Sequence, residues 1–260
     1  MKSYLHFCFS SIFSLLITVL LGQISYALEP SSGPEFSVFL GGVYLPNATD
    51  GQTLELPPYE IGPYADTFTN QSNSSAWTWG IGAGYRFKLP PMISTTYLLD
   101  SIEINADFYQ LSHMTQTGDV LQFGLSEFDN YTYKLGLSNI RAMTDFDFDF
   151  HPIGQIIIPF IEGGIGAART KISYSSSPIS PVPGPGLQLD DQTDWSFAYQ
   201  VGGGFKWLAK PQLELSIRYL YVNMGTIDSA TESNSASLSQ PLKIDMSTQN
   251  ILLGLTYLLS

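Results

Sequence analysis

The chain has 260 residues, 23 acidic side chains against 11 basic ones, three histidines and a formal charge of −12. That balance excludes a nucleic-acid partner, because no basic stripe is available to displace counterions from phosphates. The single cysteine excludes a disulfide framework, and no spacing of Cys, His and carboxylates marks a metal, a cofactor or a catalytic centre.

Lys2 precedes a mostly apolar run over residues 7–21, and Ser25-Tyr26-Ala27 offers small residues at the −3 and −1 positions of a cleavage site. This predicts a secretory signal peptide over 1–27, removed near Ala27, followed by one barrel domain over 35–259. Cys8 lies inside the signal, so the mature chain carries no thiol. Loss of Lys2 leaves 23 acids against 10 bases, a mature charge of −13. No apolar run of about eighteen residues follows, so no membrane helix is available.

Eight strands are expected beyond that point. The first covers 35–45, with Phe36, Val38, Leu40 and Tyr44 on one face. The second, 76–88, reads AWTWGIGAGYRFK: Trp77, Trp79, Ile81, Ala83, Tyr85 and Phe87 alternate with small or polar residues. Period two marks a strand with one apolar face. Aromatics at both ends of that face fit the girdles of a membrane-spanning strand. Ten steps at ~3.3 Å and a ~40° tilt reach about 25 Å along the normal, the height of an outer-membrane apolar band. The third strand, 100–112, sets Ile102, Ile104, Ala106 and Phe108 against Glu103, Asn105 and Asp107; the fourth, about 138–150, contains the unbroken alternation DFDFDF.

The fifth lies within 157–174. The sixth, 193–208, repeats the girdle order with Trp195 and Phe197 at one end and Phe205 and Trp207 at the other. The seventh, 211–225, turns Leu213, Leu215, Ile217, Tyr219 and Tyr221 outward; the eighth, 245–259, does so with Ile251, Leu253, Leu255, Tyr257 and Leu259. The segments 46–75, 113–137, 175–192 and 226–244 are long and polar, whereas 89–99, 151–156 and 209–210 are shorter. Long extracellular loops against short periplasmic turns is the asymmetry of outer-membrane barrels. NYTYKLGL at 130–137 also alternates, so the fourth strand could start early or its loop carry a hairpin. The fold class is therefore all-β, an eight-stranded antiparallel transmembrane up-and-down β-barrel in the bacterial outer membrane. Trp77, Trp79, Tyr85, Phe87, Trp195, Phe205, Trp207, Tyr219 and Tyr257 are its expected interface aromatics. Mid-strand glycines at 80/82/84, 163/164/166 and 202/203/204 make room for large inward side chains in so narrow a barrel.

The inward set supplies a candidate lumen charge network: Arg86, Glu103, Asp107, Arg141, Asp145, Asp147, Glu162, Lys206, Glu214 and Arg218. Opposite charges in so dry an interior should pair, because an unpaired one costs several kcal/mol. Asp145, Asp147, Glu162 and Glu214, set against Arg141 and Arg218, would make any leak cation-preferring.

PFIEGGIGAARTKI, FAYQVGGGFKW, LELSIRYLYVNMG and ILLGLTYLL resemble the last four strands of the eight-stranded opacity-type porin family, small barrels similar to OmpA-like membrane domains. The resemblance implies insertion among outer-membrane lipid and lipopolysaccharide, and delivery by the assembly machinery, which reads the C-terminal strand. Gly254, Tyr257 and Leu259 match that signal's spacing, with Leu259 standing where the family ends in an aromatic. The expected role is structural and surface-exposed, with the four long loops binding a host or matrix ligand and 178–186, PISPVPGPG, a stiff recognition element. A narrow cation-preferring porin is the alternative. An outer-membrane hydrolase built on His113 near Asp107 and Asp119 is a third reading.

Overall fold

The computed structural model describes residues 32–46, 48, 53–59, 62–90, 98–154, 156–179, 181, 185–233, 238 and 240–259. The expected signal peptide and its cleavage point lie outside the described residues, as does part of the proline-rich segment 178–186. In chain order the strands are β1 (Gly33–Leu45), β2 (Thr53–Tyr59), β3 (Gly62–Thr69), β4 (Ser74–Lys88), β5 (Leu99–Leu121), β6 (Asp129–Phe150), β7 (Ile157–Pro178), β8 (Gln188–Lys210), β9 (Leu213–Asp228) and β10 (Lys243–Leu258). Two short 3₁₀ turns, Gln122–Gly124 and Ser126–Phe128, join β5 to β6.

All of the strands pair antiparallel in one sheet. It closes because β1 joins β10 and β5 joins β6, so the ring contains β1 and β4 to β10, eight strands. Closure satisfies every backbone donor and acceptor at membrane depth, which lipid demands. The register sets the barrel's width. Paired residues lead from Pro34 through Tyr85, Ile104, Phe146, Gly163, Val201, Tyr221 and Gln249 back to β1 at Tyr44, ten residues further along. Eight strands with that stagger tilt by about 40° and leave an interior only wide enough for side chains. Gly82 and Gly164 face this interior, where an added Cβ would overlap the Asp107 and Asp145 carboxylates. Gly163 faces the other way, into open space on the outer surface.

Above the membrane the structure departs from the expected strand–loop scheme. The segment 46–75 holds the β2–β3 hairpin, and 113–137 is mostly strand. β5 and β6 continue as a paired ribbon from Met114↔Leu137 to Leu121↔Asp129. β4 leaves β5 at Thr78↔Leu111, and β3 takes over as its neighbour at Thr67↔Leu121 through Thr69↔Asp119. β7 likewise runs to Pro178 and β8 starts at Gln188, which shortens the third connection. The long polar segments are thus largely a β-sheet that rises from the barrel rim.

Candidate functional site

The inward positions of the eight ring strands build a charged lattice in the periplasmic two-thirds of the barrel. Arg86, Glu103, Asp107, Arg141, Asp145, Asp147, Glu162, Lys206, Glu214 and Arg218 all lie inside it, none more than 4 % exposed. Two carboxylates that the sequence reading left out, Glu35 and Asp149, are buried with them. Glu35 opens the polar face of β1 and Asp149 extends the DFDFDF alternation, so strand parity was the signal that could have found both.

Three cations organise the lattice. Arg86 Nη2 reaches Glu103 at 2.5 Å, Glu214 at 2.8 Å and Glu35 at 3.4 Å. Lys206 Nζ lies 2.6 Å from Glu103, 2.8 Å from Asp149 and 3.1 Å from Asp147, beneath the Phe160 ring. Arg218 Nη1 donates to Glu162 at 3.0 Å while its guanidinium covers Phe39 at 4.6 Å. Neutral groups complete the bonding. Gln200 Nε2 donates to Asp145 at 2.7 Å and Glu162 at 3.3 Å, Tyr109 donates to Asp107 at 3.0 Å, and Ser101 donates to Asp149 at 2.7 Å. Shared carboxylates make this a network of charge-assisted bonds rather than a set of isolated pairs.

The expected grouping of Glu214 with Arg141 and Arg218 is not the one that forms. Glu214 belongs to Arg86, one level nearer the periplasm. Among the described residues Arg141 has no carboxylate within ion-pair distance. It sits instead over the Tyr109 ring at 4.3 Å, and with the Asn250 amide oxygen turned toward it Nη2 donates there at 3.2 Å. The reason is height: β6 carries Arg141 two inward positions above Asp145, at the top of the polar zone.

Above Arg141 the filling changes character. Leu45, Leu111, Met114, Leu135, Leu137, Ile172, Tyr174, Val222, Met224, Ile244 and Met246 are buried in one apolar cluster, continuous with Phe68 of β3. Phe68 packs edge-on against Tyr133 at 4.8 Å, so the β2–β3 hairpin is pinned to the top of the barrel by an aromatic contact. The interior therefore reads, from periplasm outward, as charged lattice, a shelf of Tyr109 and Arg141, then a hydrophobic core.

The family model described as outer membrane protein beta-barrel domain matches residues 36–257, nearly the whole of this ring. The chain belongs to that family. Its place is the bacterial outer membrane, among lipid and lipopolysaccharide. Solved structures similar to this barrel include the outer membrane protein OprG from Pseudomonas aeruginosa (12 % identity over 88 % of this chain and 99 % of that one, TM-score 0.43). Neisserial surface protein A matches at 11 % identity over 87 % and 96 %, TM-score 0.39. The outer membrane enzyme PagL matches at 13 % over 86 % and 99 %, TM-score 0.36. Comparison with curated protein sequences finds no match.

On the outside of this outer-membrane barrel, Trp77, Trp79, Tyr85, Phe87, Trp195, Phe205, Tyr219 and Tyr257 are exposed, and Trp207 is half-buried. Phe87, Phe205, Trp207 and Tyr257 form a band near the short turns and Trp77 and Trp195 one near the extracellular rim, whereas Tyr219, paired with Gly203 beside Val201, lies between the two rather than at an interface. His113 also lies on the outer surface, at the β5 bulge, bonded to Thr115 at 3.3 Å. The suggested acid partners are elsewhere. Asp107 is in the lumen with Tyr109, and Asp119 is held by Asn70 at 2.8 Å, six residues or roughly 20 Å along β5. His151 caps a periplasmic turn 3.7 Å from Asp100.

Proposed function

We propose that this barrel is a closed membrane anchor whose work is done by the sheet it raises above the cell surface, as an attachment protein for a host or matrix ligand, without catalysis. In this reading residues 1–27 are the cleaved export signal and 35–259 the mature domain. The observation that carries it is the two-layer filling of the interior. A charged lattice alone can rearrange around passing ions, but the core above it is mainly apolar, and buried polar groups such as Gln116 and the Asn139–Thr170 pair are bonded within the protein, so a permeant ion would find few ligands there.

The raised sheet supplies the binding surface. Ten residues of β5 beyond Leu111 lift the β5–β6 turn roughly 25 Å past the outer girdle. There Phe123, Leu125 and Phe128 are each 40 % exposed or more, with Phe123 and Phe128 in edge-to-face contact at 5.8 Å. Phe123 holds φ at +60°, a costly conformation for a side chain of its size. Loops carried on a rigid scaffold are where recognition usually resides.

Eight carboxylates in the lumen lattice against four cations there favour a cation-preferring pore as the second reading. Single-channel recording of the purified barrel in planar bilayers separates the two. A silent bilayer is expected, and discrete cation-selective steps would overturn the closed-anchor reading. Attachment is tested on cells displaying the barrel with Phe123, Leu125 and Phe128 changed to serine. Adhesion to epithelial cells or matrix proteins should drop to the level of cells lacking the barrel, and unchanged adhesion rejects this surface.

A further inference from the structure

Cations are scarce on this chain, and their placement is uneven. Of the ten after residue 27, four lie in the lumen, and Lys88 and Lys210 end strands at the periplasmic side. Four remain for the outer half, and three of these, Lys134, Arg169 and Lys171, share the outward face of β6 and β7. Their height is set by the register. Arg169 pairs directly with Trp195, the most exposed girdle aromatic, and Lys171 with Thr193 one step further out.

Around Arg169 and Lys171 the outer surface is concave. Gln110, Ser138, Ile140 and Thr193, with Leu111 and Asn139 beneath them, line the rest of a groove of about 220 Å³ that crosses from β5 to β8. Lys171 is tethered to Asp191 at 2.6 Å, which orients it beside the groove. Among the described residues the Arg169 guanidinium has no carboxylate partner, although the mature chain carries an excess of 13 acids. The groove thus combines a free planar fork, an ammonium about 7 Å away on the same strand face, and hydroxyl and amide donors, at the level of the outer-leaflet headgroups.

We propose that the groove bearing Arg169 and Lys171 binds the phosphorylated headgroup of an outer-leaflet glycolipid. Arg169 would take two phosphate oxygens in its fork, Lys171 would supply the second charge, and Gln110, Ser138 and Thr193 would donate to the remaining oxygens. The acyl chains would run down past Ile140 and Ile165 on the apolar band, the geometry a free phosphate ion could not exploit. Lys134, four residues beyond Ser138 on β6, extends the positive face away from the membrane.

The test uses the mature barrel refolded in detergent, with binding of diphosphoryl lipid A followed by native mass spectrometry. Fully dephosphorylated lipid A is the comparison ligand and inorganic phosphate the competitor. Wild type should bind the phosphorylated lipid about tenfold or more tightly than the dephosphorylated one, and Arg169→Gln/Lys171→Gln should lose that preference. Arg169→Lys, which keeps charge but not the fork, should fall between them, and Lys243→Gln on β10 should match wild type. Heat-modifiable gel mobility verifies that each variant is folded. Equal binding of the two lipids, or no loss in both the double variant and Arg169→Lys, overturns the proposal. Displacement of the lipid by an equal concentration of inorganic phosphate would also overturn it, since it would mark a site for the free ion.

Discussion

Arg86 Nη2 on β4 lies 2.8 Å from Glu214 Oε2 on β9, joining residues 128 positions apart across the periplasmic mouth of the barrel. The same nitrogen serves Glu35 and Glu103, so one guanidinium holds three buried carboxylates. Among the described residues, removing it leaves Glu35 and Glu214 without a paired cation, while Glu103 keeps Lys206. Arg86→Met should therefore cost about 3–5 kcal/mol, as breaking a buried ion pair does. Glu214→Gln keeps a neutral acceptor beside Arg86 and should cost clearly less. Denaturant unfolding from lipid vesicles gives both values; equal costs would mean that Arg86 is not the hub.

Val201 and Gln200 are adjacent on β8 but face opposite media. Val201 looks into lipid near the midplane, whereas Gln200 is buried between Asp145 and Glu162. Val201→Arg should cost about 2–4 kcal/mol, the penalty for a cation at that depth. Gln200→Arg places its charge between two carboxylates and should cost less. Equal effects in the same unfolding assay would contradict the observed parity of β8.

Outside the membrane, Asp66 on β3 accepts the Phe123 N–H at 3.1 Å. Burial raises its carboxyl above the ordinary aspartate range, and that hydrogen bond only partly offsets the effect. A carboxyl raised on folding binds its proton more tightly in the folded state. Stability of the raised sheet should thus fall as pH climbs from the ordinary aspartate value of about 4 through the raised one. Asp66→Asn should remove that slope while its amide oxygen still accepts from Phe123. Hydrogen exchange at the Phe123 amide against pH measures the change; identical profiles for both proteins would contradict it.

Leu259 is exposed one residue past β10, in line with that strand's outward row, where the resemblance to opacity-type porins leads one to expect an aromatic. Leu259→Phe should speed assembly into the outer membrane and leave the folded barrel's stability nearly unchanged. Pulse-labelling, with the heat-modifiable band as the readout, gives the rate, and a slower variant would show that Leu259 suits the machinery as it stands.

The lipid-facing rows were legible because the apolar residues keep one parity through the membrane, as Phe146 and Phe148 do on β6. Further out on the same strand the apolar set is Tyr133, Leu135 and Leu137, of the opposite parity and facing inward. The flip occurs around Asn139 and Arg141, where the solvent outside changes from lipid to water. A rule that always points the apolar face outward stops there, which is why 113–137 read as loop. The same inversion separates Tyr219 and Tyr221, exposed or half-buried, from Val222 and Met224 on β9. The β2–β3 hairpin was hidden for another reason: Pro57-Pro58 breaks the β2 pattern, and only three residues of β3 pair with the barrel. The lumen residues were legible one by one, but their partners were not, since pairing depends on a stagger that no single strand records.

That ring is sealed by the β1–β10 pairing, where Gly41 lets the two backbones approach beside Ile251 and Leu252. The seam joins the strands synthesised first and last. Until both are delivered, β1 and β10 each present an open edge, and neither the charged lattice nor the apolar core has walls on every side. Closure of the ring, and with it the walling of the lattice and the core, therefore waits on β10.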